Sequence, residues 1–330
     1  MKKVVLLLIV LSPQSNAQQN EIDFFSFTFE NDIIFSGEDG GYSNGFIGAW
    51  GYNNVPKLDK QVLPLWIAYL ADKSYLTSMP NKQYALSYRI GQLIQTDTYV
   101  AESSLVEEDA PYAGLLAWEG HINAFDKDVS DQLGLTLGVV GPASGAEQTQ
   151  KLFHALFGYS EPQGWEHQLQ NELVFRLDVM RTWRLYDVPS PFMGAEFDIL
   201  GGMLGGVGNL RSDIATGINF RWGKELENSF SSATAMPIKK LNQLNNTPNG
   251  WYLFANISGA YVANDIFIDG NTFADSHSVD LIHGQTTFST GVVLNIANWG
   301  VVYNMLYATD EYETQTEDTR YASLTVTYNY

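Results

Sequence analysis

Ala322-Ser323-Leu324-Thr325-Val326-Thr327-Tyr328-Asn329-Tyr330 ends the sequence. In an extended chain Leu324, Val326, Tyr328 and Tyr330 fall on one side, and Ser323, Thr325, Thr327 and Asn329 on the other. Successive side chains of a strand point to opposite faces, so this period of two reads as β-structure with one apolar and one small, polar face. The same pattern recurs upstream. Over 83–92, Tyr84, Leu86, Tyr88 and Ile90 oppose Ala85, Ser87, Arg89 and Gly91. Over 115–124, Leu116, Trp118, Ile122 and Ala124 oppose Ala117, Glu119, His121 and Asn123. Over 172–179, Leu173, Phe175, Leu177 and Val179 oppose Val174, Arg176 and Asp178.

A soluble sandwich also alternates, and three further features favour a bilayer. The polar faces carry charges and small residues, as a lumen does. The apolar faces are rich in Tyr, Trp and Phe toward strand ends, as interfacial girdles are. The terminal aromatic strand is similar to the signal that barrel assembly machinery reads in the outer membrane of Gram-negative bacteria. Upstream, Lys2 and Lys3, the apolar run Val4–Leu11 and the small residues Ser15-Asn16-Ala17 predict a cleaved signal peptide over 1–17. The domain is then expected over 18–330. Strands are predicted to start near Asp23, Ser43, Gln83, Gly114, Gln132, Asn171, Pro191, Ile214, Trp251, Thr286, Val301 and Arg320. Lipid cannot satisfy the open edges of a sheet, so the sheet must close. The expected fold is all-β: a transmembrane antiparallel β-barrel of about twelve strands, with a short helical insertion at the extracellular rim.

Two segments interrupt the alternation. In 53–82, Leu63–Leu70 with Pro56 and Pro64 nearby suggests a short helix. In 142–170, Ser144-Gly145-Ala146-Glu147 reads as a capping box with Ser144 as N-cap, and the helix should run to Phe157 and stop at Gly158. Gln150 and His154 are four apart and share one face, while Phe153 and Phe157 share another that can pack on the barrel. With both termini on the periplasmic side, strand order brings Asn31, Asp32, Ser43, Asp109 and His154 to the outer rim on neighbouring strands.

Composition removes several function classes. The chain has no cysteine, so disulfides, thiolate metal sites and Cys nucleophiles are excluded. Its 18 Lys and Arg stand against 37 Asp and Glu, a net charge of −19, which argues against a nucleic acid partner. An acidic surface suits divalent cations or simple solubility. His154 is the candidate general base, because an imidazole is half neutral near pH 6.5 and can take a proton from water. Asn31 and Asp32 offer hard oxygen ligands of the kind Ca²⁺ takes, and are equally ordinary turn formers. Gly41-Tyr42-Ser43-Asn44-Gly45 matches G-x-S-x-G, but a nucleophile elbow needs a strand before it and a helix after it. Here a loop precedes and a strand follows. Ser43 could still act as a nucleophile paired with His154 in a barrel lipase.

Taken together, these residues resemble the lipid A 3′-O-deacylase family of outer-membrane proteins. The resemblance rests on ordered elements: Phe29-Glu30-Asn31-Asp32, Tyr42-Ser43-Asn44-Gly45, Asp109-Ala110-Pro111-Tyr112-Ala113-Gly114 and Gly138-Val139-Val140-Gly141-Pro142. Gln150 with His154, then Gly164-Trp165, then Gln168 through Asn171-Glu172 complete the set. It is well marked to about Glu172. It implies a twelve-stranded barrel in the outer membrane whose Ca²⁺-dependent site faces the outer leaflet. The expected reaction is hydrolysis of the ester holding the 3′ acyloxyacyl chain of lipid A, in lipopolysaccharide. By resemblance His154 activates water, Asp32 binds Ca²⁺, Asn31 and Ser43 line the site, and Gln150 supports it. The chain departs from the pattern in three places. Thr96–Tyr112 contains no Lys or Arg where the characterised deacylase has a Lys-Arg pair, Ala110 stands where many relatives have Arg, and Ser160 stands where a carboxylate is expected. The alternatives are a non-catalytic barrel, acting as a pore, an adhesin or a structural protein, and a phospholipase using Ser43 and His154.

Overall fold

The computed structural model describes residues 22–31, 42–55, 58, 68–69, 71–72, 74–78, 82–98, 101–230, 233, 249–316 and 318–330, without the side chains of 42–44, 54 and 77–78. The expected signal peptide lies outside them, as do residues 63–67 and 70 of the expected Leu63–Leu70 helix. Twelve strands follow one another as β1 (Phe24–Asn31), β2 (Tyr42–Val55), β3 (Gln83–Gln95), β4 (Ala113–Phe125), β5 (Val129–Val140) and β6 (Glu172–Pro189). Then come β7 (Glu196–Val207), β8 (Arg211–Lys224), β9 (Asn249–Asp265), β10 (Gly284–Ile296), β11 (Trp299–Ala308) and β12 (Thr319–Asn329). Each pairs with its chain neighbour, and β1 pairs antiparallel with β12 from Phe24↔Asn329 to Asn31↔Ala322, which closes the barrel. No edge is left unpaired, as a sheet in lipid requires. The strand expected near Pro191 begins at Glu196, because Ser190–Ala195 forms a turn. There Ser190 N–H donates to Ala195 O at 2.8 Å, and Met193 and Gly194 adopt φ of 58° and 59°.

The two faces separate as the alternation requires. On β6 Leu173 is 80% exposed, and Phe175, Leu177 and Val179 are exposed with it, whereas Val174, Arg176 and Asp178 are buried. On β12 Leu324 is exposed while Ser323, Thr325 and Thr327 are buried. Phe25, Phe27, Ile218, Phe220, Leu253 and Ile257 extend the outward apolar surface around the wall. A water-soluble protein does not leave so continuous an apolar belt exposed; hydrocarbon covers it at no cost. Near the end holding the termini the belt carries aromatic contacts: Trp50–Tyr88 at 5.9 Å, Trp222–Trp251 at 5.1 Å and Trp299–Tyr328 at 4.9 Å. Among the described residues no helix is long and apolar enough to cross a membrane, and the crossing is made by strands.

The interior is filled by charge pairs on the inward faces. Arg176 Nη2 donates to Asp213 Oδ1 at 2.6 Å, Arg211 Nη1 to Asp265 Oδ2 at 2.6 Å, and Arg221 Nε to Asp198 Oδ1 at 2.9 Å. Arg89 and His121 both approach Glu119 Oε2 at 3.7 Å. Buried charges persist only when paired and hydrogen-bonded, so this network specifies how the lumen packs.

At the end opposite the termini the long connections interlock. Asp109 accepts from Thr98 N–H at 2.7 Å and Ala110 N–H at 2.8 Å, and also from the Tyr312 hydroxyl. Burial first, then the bond to Asp109 and its charge, pushes the Tyr312 hydroxyl above the usual phenol range, so it remains a donor. His277 Nε2 donates to Asp109 O at 2.8 Å. Glu172 Oε2 accepts from Thr272 N–H at 2.9 Å, Phe273 N–H at 3.2 Å and Asn271 Nδ2 at 3.2 Å, tying the 266–283 connection to the start of β6.

Candidate active site

One helix, α1 (Ala146–Phe157), follows a 3₁₀ turn over Pro142–Ser144. The expected capping box does not form. Gly145, at φ 72°, is the N-cap and makes no side-chain cap, because Ser144 belongs to the preceding turn. Ser144 Oγ accepts from Ala146 N–H at 3.3 Å, and Glu147 pairs instead with Lys151 Nζ at 3.1 Å. The C-terminus is as expected: Gly158 adopts φ 78° and its N–H donates to His154 O at 2.8 Å.

The burial of α1 inverts the usual amphipathic pattern. Ala146, Gln150 and His154, four apart, form the buried stripe, with Gln150 at 0% and His154 at 1% exposure. Leu152, Leu156 and Phe157 face outward, Leu156 at 70% exposure. The polar groups are therefore pressed against the protein, and the apolar groups are turned to the surroundings.

The surface that α1 covers is the outside of the barrel wall. Phe25 and Phe27 on β1 and Ile90 on β3 are exposed, so Phe29 and Asn31, and likewise Gln92 and Ile94, share their outward face. Gln92 Nε2 donates to Ser144 O at 2.7 Å. A Cβ on Gly114 of β4 would lie 2.2 Å from Ala146 Cβ and 2.3 Å from Ser144 Oγ, so only glycine lets the helix start approach this closely. Phe153 lies 5.9 Å from Phe29 and 6.4 Å from Phe46, and the Phe157 ring packs tilted against it at 4.6 Å. Ile94, Tyr112, Ala146 and Trp165 form one buried cluster at the helix start.

Within this frame the expected site residues separate. His154 Nδ1–H donates to the carbonyl of Ser160 in a short bond. A carbonyl only accepts, so the proton is on Nδ1 and the neutral ring has its lone pair on Nε2. Ser160 thus orients the ring through its backbone carbonyl. The Tyr159 ring meets the imidazole edge-on at 5.7 Å. Gln150 Oε1 accepts from Trp165 Nε1–H at 2.9 Å. Asn31 is buried at the end of β1, opposite Asn44. Ser43 is the extra residue of a bulge, between the pairs Tyr42↔Gln95 and Asn44↔Ile94; its side chain, and all of Asp32, lie outside the described residues. Among the described residues no three His, Asp or Glu could hold a metal. Asp109 and Glu172, prominent in the ordered motifs, serve the interlocked loops. Sequence reading missed the pairing of Trp165 with Gln150; the only signal for it was the Gly164-Trp165 motif. A Cβ on Gly164 would lie 2.3 Å from the Tyr112 ring, so that glycine admits the ring beside Trp165.

No curated protein matches the sequence. LpxR from Salmonella typhimurium superposes with a TM-score of 0.75 at 16% identity, covering 93% of this chain and 100% of that one. The β domain of the Bordetella autotransporter BrkA covers 94% of this chain and 99% of its own, at a TM-score of 0.45 and 9% identity. The KdgM porin covers 93% and 99% at a TM-score of 0.40 and 6% identity. The family described as outer membrane protein LpxR matches residues 4–330, practically the whole chain, and the chain belongs to that family of outer-membrane, lipid A deacylase-type barrels.

Proposed function

We propose that this protein hydrolyses the ester holding the 3′ acyloxyacyl chain of lipid A, at a site on the outer-leaflet side of the barrel wall. One observation carries the reading: a helix buries Gln150 and His154 against the outside of the wall. That surface belongs to the lipid, not to the lumen. An outer-leaflet ester reaches it laterally while its acyl chains remain in hydrocarbon.

In this reading His154 Nε2 takes a proton from water. The water oxygen bonds to the ester carbonyl carbon, and the carbonyl electron pair moves to oxygen. When the tetrahedral species collapses, the bond from carbon to the alkyl oxygen breaks, and the imidazolium returns its proton to the leaving alkoxide. The products are a carboxylic acid and an alcohol. The Ser160 carbonyl accepts from Nδ1–H throughout, so the ring keeps its orientation as it gains charge. Asn31 and Ser43 line the approach.

Calcium fits by donor chemistry: the Asn31 carboxamide at the end of β1 and the carboxylate of Asp32, next in the sequence, are hard oxygen ligands. Asp32 is the residue that would hold the ion. When bound, Ca²⁺ supplies polarisation of the ester carbonyl. The packed lumen weighs against a pore, since the inward faces of β6–β9 are occupied by paired Arg and Asp side chains.

Mass spectrometry of lipid A from cells with and without the protein tests the reading. Loss of one acyloxyacyl unit from the 3′ position is expected. Lipid A unchanged by the wild-type protein would leave the non-catalytic barrel in its place. An acyl group trapped on Ser43 would favour the phospholipase-like alternative.

A further inference from the structure

Gln150 is fully buried, and the neighbour of its carboxamide decides which way it points. Trp165 Nε1 is a donor only, so the group facing it at 2.9 Å must be the acceptor oxygen of Gln150. The carboxamide NH₂ is thereby directed away from Trp165. No described residue accepts from Gln150 Nε2. A buried donor left without an acceptor costs about 1–3 kcal/mol, so each such group calls for an explanation.

Trp165 is itself held firmly. Its ring meets Tyr112 edge-on at 5.2 Å, and its carbonyl accepts from Gln168 Nε2 at 2.9 Å. Leu169 N–H donates to Tyr112 O at 2.9 Å, tying the two segments together. Gln150 precedes His154 by one helical turn on the same buried stripe, so its carboxamide is on the helix face that carries the proposed base. The loop Thr96–Tyr112 brings no Lys or Arg to this end of the barrel.

We propose that Trp165 is a positioning residue that holds the Gln150 carboxamide with its N–H groups toward the reacting ester, making Gln150 the neutral donor to the carbonyl oxygen as it gains charge. The proposal rests on the ester-hydrolase reading above. It gives a chain without the expected cations a donor that needs no charge. Removal of one such donor lowers kcat by about 10²–10³-fold in enzymes where it has been done.

The test uses purified full-length protein in detergent with lipid A as substrate, each variant first shown to run faster unboiled than boiled. Trp165→Phe keeps the ring against Tyr112 and removes only the N–H that orients the amide. Its kcat is expected to fall by at least tenfold with KM unchanged. Gln150→Met keeps the volume without a donor, and its kcat is expected to fall about 10²–10³-fold. Trp165→Phe combined with Gln150→Met should be no worse than Gln150→Met alone, because the indole acts only through the amide. A Trp165→Phe enzyme with wild-type kcat, a change confined to KM, or additive losses in the double variant would overturn the proposal while the hydrolase reading stood. If Trp165→Phe does not fold, wild-type kcat in Gln150→Met overturns it instead. Wild-type protein inert on lipid A would remove the hydrolase reading and this proposal with it.

Discussion

Replacing His154 with alanine removes the proposed base and should spare the barrel. General-base assistance is typically worth about 10²–10⁴-fold, or about 3–5 kcal/mol of barrier. The structural cost is smaller. The ring's Nδ1 partner is the carbonyl of Ser160, an exposed residue whose oxygen water can reach once the imidazole is gone. Losing a hydrogen bond whose partner is resolvated costs on the order of 1 kcal/mol. The helix stays pinned by the Phe153 contacts with Phe29 and Phe46, the bond from Gln92 to Ser144 and the close approach at Gly114. His154→Ala should therefore still migrate faster unboiled than boiled, while deacylation of lipid A, followed by mass spectrometry, falls at least a hundredfold. Ser43→Ala should cost much less, since in the proposed mechanism water is the attacking group. Retention of more than a tenth of wild-type activity in His154→Ala would refute the base assignment. An activity order with Ser43→Ala the more damaging would refute the water mechanism.

Asp32→Asn, or excess chelator with the wild type, should abolish turnover, and added Ca²⁺ should restore only the chelated wild type; unchanged activity in either arm would remove the metal from the mechanism. Asp109→Ala leaves the Thr98 and Ala110 N–H groups and the Tyr312 hydroxyl without their shared acceptor, so hydrogen exchange over 96–112 should quicken by at least tenfold while strand protection holds; an unchanged loop would show that Asp109 does not organise that end. The protein should fractionate with the outer membrane and show heat-modifiable mobility on gels, and recovery from the soluble periplasmic fraction would contradict the barrel's placement.

The fold was legible because the alternation is a two-state code. Leu173, Phe175, Leu177 and Val179 had to share one face, and a membrane wall is the environment that accepts such a face on strand after strand. Strand starts followed to within a few residues except at Pro191, where a turn with two positive-φ residues outlasts the proline. The helix end was readable from Gly158, whereas its start was not. A capping box assumes that Ser144 stands alone, and here it belongs to a 3₁₀ turn packed on Gly114. The pairing of Gln150 with His154 followed from their spacing. The orientation of each did not, because it depends on Trp165 and on the Ser160 carbonyl, contacts that no periodicity encodes. Strand order put Asp109 at the outer rim with the candidate residues, and there its carboxylate is committed to loop N–H groups and Tyr312.

The lumen offers a rival location for chemistry, and its energetics argue against it. His121 is as buried as His154 and lies 3.7 Å from Glu119, an acid–base pair in its own right. An acyl chain drawn into that polar interior would leave hydrocarbon at about 0.8 kcal/mol per methylene, roughly 8 kcal/mol for a chain of about ten. The lumen returns nothing apolar at that level, because Arg89, Glu119, His121 and Asp178 occupy it. At the outside of the wall, in the proposed reading, the same chain would stay in lipid beside the exposed Leu152 and Leu156, and only the ester head would have to reach His154. His121→Asn, which keeps the polar character of the site without its basicity, should therefore leave deacylation within about twofold of wild type. It should also lower thermal stability, because Glu119 loses a neighbour in the charge network. Loss of lipid A deacylation in a folded His121→Asn protein, with His154→Ala still active, would place the reaction inside the barrel and reverse the assignment.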